Sequence, residues 1–295
     1  MTALLASIPS PSSGEIHAGP LTLHAYGLML LLAIVAATWL TGVLWTREGG
    51  DWDLVYRTAL WGVAGGIIGA RLYHVLTSWA EVPDPKWKGA FEIWNGGLGI
   101  WGGIIGGTLA GWIVIHRAGA SMFRFMDCVA PGLLLAQAIG RWGNYFNQEL
   151  FGVPTNQPWG LEIDPVNRPA KYASSDTFHP VFLYESLWNL LGVGVLLFVR
   201  KRFNVKAPGL FCLYVAWYTF ARFFLEMIRT DTAHEYLGLR LNAWVSLVFF
   251  VAAVVCFVWS QRHGRLRPAK PRKEKAPPKP AKTMAIPKGR VRGRR

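Results

Sequence analysis

The chain has 295 residues, 52% of them hydrophobic and 16% charged, with positive mean hydropathy. Those values exclude an ordinary soluble domain and place it among membrane proteins, where 15 Trp and 32 Gly also fit. The formal charge of +14 does not describe one nucleic-acid-binding surface, because 14 of the 31 Lys and Arg follow Gln261.

A membrane-crossing helix needs about 20 mostly apolar residues, and seven stretches qualify. The first, Leu21–Trp45, is preceded by no basic region, so it is expected to be a retained span and not a cleaved signal. Tyr26, in HAYG near its start, reads as an interfacial tyrosine or as a headgroup contact. The second span, Thr58–Leu76, carries Gly62, Gly65, Gly66 and Gly69, then Arg71, Tyr73 and His74. The third, Leu98–Ile115, lies in a denser glycine run from Gly96 to Gly111. Glycines three or four apart let helices approach closely. Bare backbone at Gly96, Gly97 and Gly99 also leaves room for a lipid headgroup. The loop lacks the Lys-Ser/Thr ending and the preceding strand of a nucleotide P-loop.

The fourth span, Phe125–Arg141, runs into Gly140–Gly152, which reads GRWGNYFNQELFG. A charge beside the hydrocarbon core usually has a partner or a task. Arg141 offers a fork of donors suited to phosphate, Asn144 and Asn147 add neutral donors and acceptors, and Glu149 is the one acid of the block. Residues 153–179 hold prolines and charges without a long apolar run and should form a small cap. His179 and Glu185 flank the start of the fifth span, Val181–Val199, in HPVFLYE. His179 is either a base or a hydrogen-bonding histidine. In the sixth span, Gly209–Met227, Tyr218, Arg222, Glu226 and the following Arg229 are spaced four, four and three apart and share one helical stripe, so Arg222 and Glu226 can pair. They form either a structural ion pair or part of an anion site. The seventh span is Ala243–Ser260.

With the C-terminus cytoplasmic, 22 of the 31 Lys and Arg fall in cytoplasmic segments. The bias predicts N-terminus out and C-terminus in, with Arg141 and Arg222 both near the outer face. The expected fold class is therefore all-α, a polytopic membrane bundle of about seven helices. Residues 1–20 form an extracytoplasmic segment, and residues 21–260 form the bundle with its outer cap near 153–179. Residues 261–295 form a disordered basic tail on the anionic inner leaflet. No aromatics interleave the tail's charges, so nucleic acid is not an expected partner. Cys128, Cys212 and Cys256 show no metal spacing and read as small core residues. No metal or organic cofactor is implied. G-x-S-x-G and H-E-x-x-H motifs are both absent.

The block GRWGNYFNQELFG resembles the signature of the prolipoprotein diacylglyceryl transferase family. So do Tyr26-Gly27, WNGGLGIWGG at Trp94–Gly103, HPVFLYE at His179–Glu185 and RFFLEMIR at Arg222–Arg229, in the family's order. The resemblance spans roughly Leu21 to Ser260. It implies transfer of the diacylglyceryl group of phosphatidylglycerol to the thiol of a lipobox cysteine in a preprolipoprotein signal peptide, giving a thioether and glycerol phosphate in a bacterial cytoplasmic membrane. On matching positions it implies that Arg141 binds the phosphate and Arg222 supports the phosphate or the departing glycerol phosphate. Asn144 and Glu149 would shape the headgroup pocket and orient Arg141, and Glu226 would orient Arg222. Tyr26 and Tyr218 would line the pocket, with Asn147, Gly97 and Arg229 among the substrate contacts. One departure matters: Trp101 stands where many members have a histidine cast as the thiol's base. Either the base is Glu149, Glu226 or His179, or the arginine fields make one unnecessary. A transporter for an anionic amphiphile is the alternative that involves no covalent chemistry.

Overall fold

A computed structural model describes residues 7–19, 21–231 and 235–264. Its helices in chain order are α1 (Ala25–Thr46), α2 (Trp52–Thr77), α3 (Lys86–Gly89), α4 (Ile100–Arg117), α5 (Met122–Phe146), α6 (Val181–Arg202), α7 (Gly209–Ile228) and α8 (Leu241–His263). All but the four-residue α3 coincide with the seven expected spans. Six are long and apolar enough by length and composition to cross a membrane. The seventh, α4, has 18 residues, including several glycines and a terminal His116-Arg117.

The expected boundaries shift for local reasons. Helix α2 starts at Trp52, not near Thr58, because Asp51 caps it by accepting from the Asp53 amide. Arg57 then pairs with Asp53 one turn away at 2.8 Å. Helix α5 continues past Arg141 to Phe146, which places Arg141 and Asn144 one turn apart on a helix. At the C-terminus α8 runs to His263, so Gln261–His263 are helical. The rest of the expected disordered tail, from 265, lies outside the described residues. Cys128 and Cys212 are buried, as small core residues should be, whereas Cys256 is exposed on α8.

The glycines of α2 and α4 form a seam. A Cβ at Gly69 would overlap the Gly102 carbonyl oxygen, and one at Gly106 the Gly65 carbonyl oxygen. The two backbones therefore touch with nothing between them. Gly132 lets α5 approach α1 in the same way, close to Ala37 and Thr41.

The bundle has two polar ends. At the end opposite the cap, Glu48 pairs with Arg200 of α6 at 2.7 Å and with Arg124 of α5 at 3.4 Å. These pairs lie over an apolar cluster that includes Leu44, Trp45, Val55, Ile115 and Phe125. At the other end, residues 151–182 enclose a small core of Phe151, Leu161, Ile163, Phe178 and Phe182.

Among the described residues three short antiparallel pairs decorate the bundle: β1 (Glu15–Ala18) with β2 (Leu21–His24), β3 (Leu161–Glu162) with β4 (Thr177–Phe178), and β5 (Glu235–Tyr236) with β6 (Leu239–Arg240). Strand β2 takes the residues where the sequence placed the start of span one, so α1 begins only at Ala25. The described part of the N-terminal segment is not separate from the cap. Ile8 bridges to Leu161, Tyr145 Oη donates to Pro9 O at 2.9 Å, and Gln148 Nε2 donates to Pro11 O at 3.2 Å.

Candidate active site

Arg141 sits near the cap end of α5, and its fork is held from two directions. Glu185, one turn into α6, receives Nη2 on Oε1 at 2.8 Å and faces Nε with Oε2 at 2.7 Å. Arg141 Nη1 donates to Asn144 Oδ1 at 3.2 Å, and Asn144 Nδ2 donates to Glu149 Oε1 at 2.8 Å. Three members of the GRWGNYFNQELFG block thus form one chain of bonds, because the helix puts 141 and 144 on one face. The following turn then folds Glu149 back, with Gln148 and Leu150 at positive φ. Asn147 Nδ2 approaches Glu149 Oε1 only at 3.5 Å and is exposed.

Arg222 of α7 reaches the same carboxylate. Its Nη1 lies 3.7 Å from Glu185 Oε2, while its Nη2 lies 2.8 Å from Glu226 Oε2. Glu226 is fully buried and is shared further with Arg229 at 3.6 Å, Arg240 at 3.4 Å and Asn242 Nδ2 at 3.1 Å. Asp231 closes the network, accepting from Arg229 Nε at 2.7 Å and Arg240 Nη2 at 3.0 Å. Burial would raise the Asp231 carboxyl, but the Arg229 hydrogen bond and charge, with the charge of Arg240, outweigh it and hold it below the usual carboxylate range.

Pairing of this kind fixes guanidinium groups at a membrane boundary, where an unpaired charge would be costly. It does not use them up. Glu185 Oε2, Glu226 Oε2 and Arg222 Nη1 are buried without an aligned hydrogen bond despite their close charges. Arg222 thus keeps spare donor capacity beside the Glu185 carboxylate, on a side chain that borders a cavity.

These side chains border a cavity of about 910 Å³ lined by Tyr26, Trp101, Arg141, Asn144, Tyr218, Arg222 and Arg229, with apolar residues of α1, α4, α5, α7 and α8 below them. Tyr218 and Tyr26 stand beside the Arg141 guanidinium. The space suits an amphiphile with an anionic head: fixed cations at one end and hydrocarbon walls along the rest.

Of the residues singled out from sequence, Tyr26, Arg141, Asn144, Tyr218, Arg222 and Arg229 come together on this cavity. Glu149 and Glu226 stand behind it as partners of Asn144 and Arg222. Gly97 does not join them. Arg71 donates to the carbonyl oxygens of Gly96 and Gly97 at 2.7 and 2.9 Å, and Arg71 and His74 occupy the space a Cβ at Gly97 would need. The bare backbone at Gly97 admits these side chains where the sequence suggested a headgroup, and the Tyr73 ring fills the corresponding space at Gly99. His179 bonds Tyr184 Oη at 3.0 Å and is not among the lining residues.

Sequence reasoning gave Glu185 and Arg240 no role. The available signal for Glu185 was an acid one turn inside an apolar span, which is costly unless paired. Arg240 carries no such local signal, since its acid partners Glu226 and Asp231 lie 14 and 9 residues away.

Comparison with known proteins agrees with the motif assignment. The family model described as prolipoprotein diacylglyceryl transferase matches residues 14–259. A phosphatidylglycerol–prolipoprotein diacylglyceryl transferase of Streptomyces coelicolor, the one numbered 2, is 48% identical over 264 residues, 88% of this chain and 83% of its own. The protein of that name from Bifidobacterium adolescentis is 44% identical over 275 residues, 88% of this chain and 82% of its own. The one from Cutibacterium acnes is 49% identical over 258 residues, 87% of each.

Proposed function

The chain belongs to the prolipoprotein diacylglyceryl transferase family, and on that premise we propose that the Arg141–Arg222 cavity holds phosphatidylglycerol for attack by a prolipoprotein thiol. The protein is a multi-pass membrane enzyme that transfers a diacylglyceryl group from phosphatidylglycerol to prolipoproteins. The observation that carries the proposed site is convergence: arginines from α5 and α7 meet on one carboxylate, Glu185, at the edge of one cavity.

In this reading the lipid phosphate sits against the Arg222 guanidinium, whose Nη1 has no aligned hydrogen bond, and against the charge of Arg141. The lipobox cysteine thiolate attacks the glyceryl carbon that bears the phosphate. A C–S bond forms, the C–O bond to phosphate breaks, and glycerol phosphate leaves with the electron pair. Fixed guanidinium groups stabilise the charge gathering on that leaving group. Asn144 and Glu149 hold Arg141 in aim, and Glu226 does the same for Arg222.

None of Glu149, Glu226 and His179 lines the cavity, and Trp101 takes no proton. Their absence from the lining favours thiolate formation by arginine charge, with the thiol proton passing to water, over a dedicated base. Substrates enter from the outer leaflet of a bacterial cytoplasmic membrane, with the N-terminus outside and the basic tail inside.

The test uses membranes containing the protein, phosphatidylglycerol and a lipobox peptide, read by mass spectrometry. Arg141→Ala should abolish the diacylglyceryl adduct in a protein that still folds and inserts. Near-normal turnover by that variant would remove Arg141 from the mechanism.

A further inference from the structure

A second cavity, of about 440 Å³, lies toward the end opposite the cap, between α1, α2, α4 and α5. None of its lining residues is charged, and the hydroxyl of Thr58 is already donated to the Leu54 carbonyl oxygen at 2.7 Å. Ile34, Leu133, Ala136 and Phe211 line both cavities, so the two adjoin across these side chains. Val55, Ile115, Met122 and Phe125 close the far end, three of them within the packed apolar cluster there and Met122 against it. From Arg141 to Phe125 along α5 is 16 residues, about 24 Å at 1.5 Å per residue. That exceeds the roughly 15 Å of half a bilayer core. Taken in sequence, the two adjoining cavities extend from the arginines past the middle of the membrane to a floor.

We propose that this second cavity receives one acyl chain of the phosphatidylglycerol donor and limits its length. The inference rests on placing the lipid phosphate at Arg141 and Arg222. A glyceryl unit held there directs its chains down the cavity, and a chain that passes Ile34 and Phe211 enters walls with no charged group to desolvate. A chain that is too long meets the Ile115–Phe125 floor.

The apolar segment of a signal peptide is a poor occupant. A helix with its side chains is 10–12 Å across, so this volume holds roughly one turn of it. An extended peptide would bring a backbone donor and acceptor at every residue, more than the hydroxyls of Thr38, Thr41 and Thr108 could match. Hydrocarbon has neither requirement.

The experiment offers the protein an equal mixture of short-chain and long-chain phosphatidylglycerol with a lipobox peptide and reads the adduct masses. Ala59→Phe on α2 and Val129→Phe on α5 each push a ring into the cavity from opposite walls. Both should raise the short-to-long product ratio at least about tenfold, the scale on which an apolar pocket discriminates chain length. Met122→Ala, which lowers the floor, should move the ratio the other way.

A ratio unchanged in all three variants overturns the inference, whether total turnover is kept or falls equally on both lipids. A changed KM for the peptide at constant lipid ratio also overturns it and makes the peptide the occupant. Absence of any adduct from the unsubstituted protein is a different failure, since it sinks the phosphatidylglycerol site and not the chain-length device alone.

Discussion

Replacing Glu185 by Gln tests whether the two arginines depend on a shared counter-ion. The substitution keeps shape and removes charge from a residue that is 1% exposed. It deletes a contact with Arg141 Nε at 2.7 Å and weakens the approach of Arg222 Nη1 at 3.7 Å. Opposite charges about 4 Å apart interact by about 4 kcal/mol at an effective dielectric of about 20, and breaking a buried pair from one side typically costs about 3–5 kcal/mol.

Even the lower figure, expressed in the transition state, is roughly a hundredfold in kcat. The ground state responds differently. Without Glu185 the site gains a positive charge, and the lipid phosphate no longer competes with a carboxylate for the Arg141 fork. KM for phosphatidylglycerol should therefore hold or fall while kcat drops. The assay is initial-rate transfer to a lipobox peptide over a range of lipid fractions, with melting followed on the same preparation. A raised KM at unchanged kcat, or full activity, would refute the reasoning that Glu185 aims the guanidinium groups.

Glu226→Gln should be more damaging to folding than Glu185→Gln, because it leaves Arg222, Arg229 and Arg240 facing an uncharged group in a fully buried position. A loss of about 3–5 kcal/mol is expected, read as a lower Tm alongside reduced turnover. Gly69→Val drives a branched side chain into the Gly102 carbonyl. Overpacking of about 1–3 kcal/mol or more follows, and the check is thermal stability, with the exposed Gly27→Ala as a control that meets no neighbour. Asp231, held below its ordinary pKa, contributes stability that is fully present above the unfolded value of about 3.9. That contribution is lost as pH falls through the depressed folded value. The Tm difference between the unsubstituted protein and Asp231→Asn should thus be constant near neutrality and shrink on acidification. A difference that grows in acid would contradict the assigned pairing.

The spans were legible because hydrocarbon burial writes itself into sequence as runs of a fixed minimum length. The α7 stripe was legible because Arg222 and Glu226 are one turn apart, so helical periodicity alone predicts the pair observed at 2.8 Å. Glu185 was not, since its partner Arg141 is 44 residues away and no local spacing joins them. Gly97 misled for a related reason. A glycine at φ 71 announces that backbone needs room, but not which side chain fills it, and here Arg71 and His74 of α2 do. The short strands escaped because two-residue pairs such as Leu161–Glu162 with Thr177–Phe178 are made by tertiary closure of the cap and carry no period of their own.

Biogenesis treats the two arginine helices differently. Helix α7 enters the bilayer with Arg222 already matched by Glu226 on the next turn, so the segment carries its own neutraliser. Helix α5 brings Arg141 without an acid inside the same segment near enough to meet it, and its neutraliser is made only with α6. A lone arginine costs about 2.5–3.5 kcal/mol at the centre of a span on translocon scales, and less toward the end of one, where Arg141 lies. The settled position of α5 in the lipid is therefore reached together with α6, as a hairpin, and not one helix at a time.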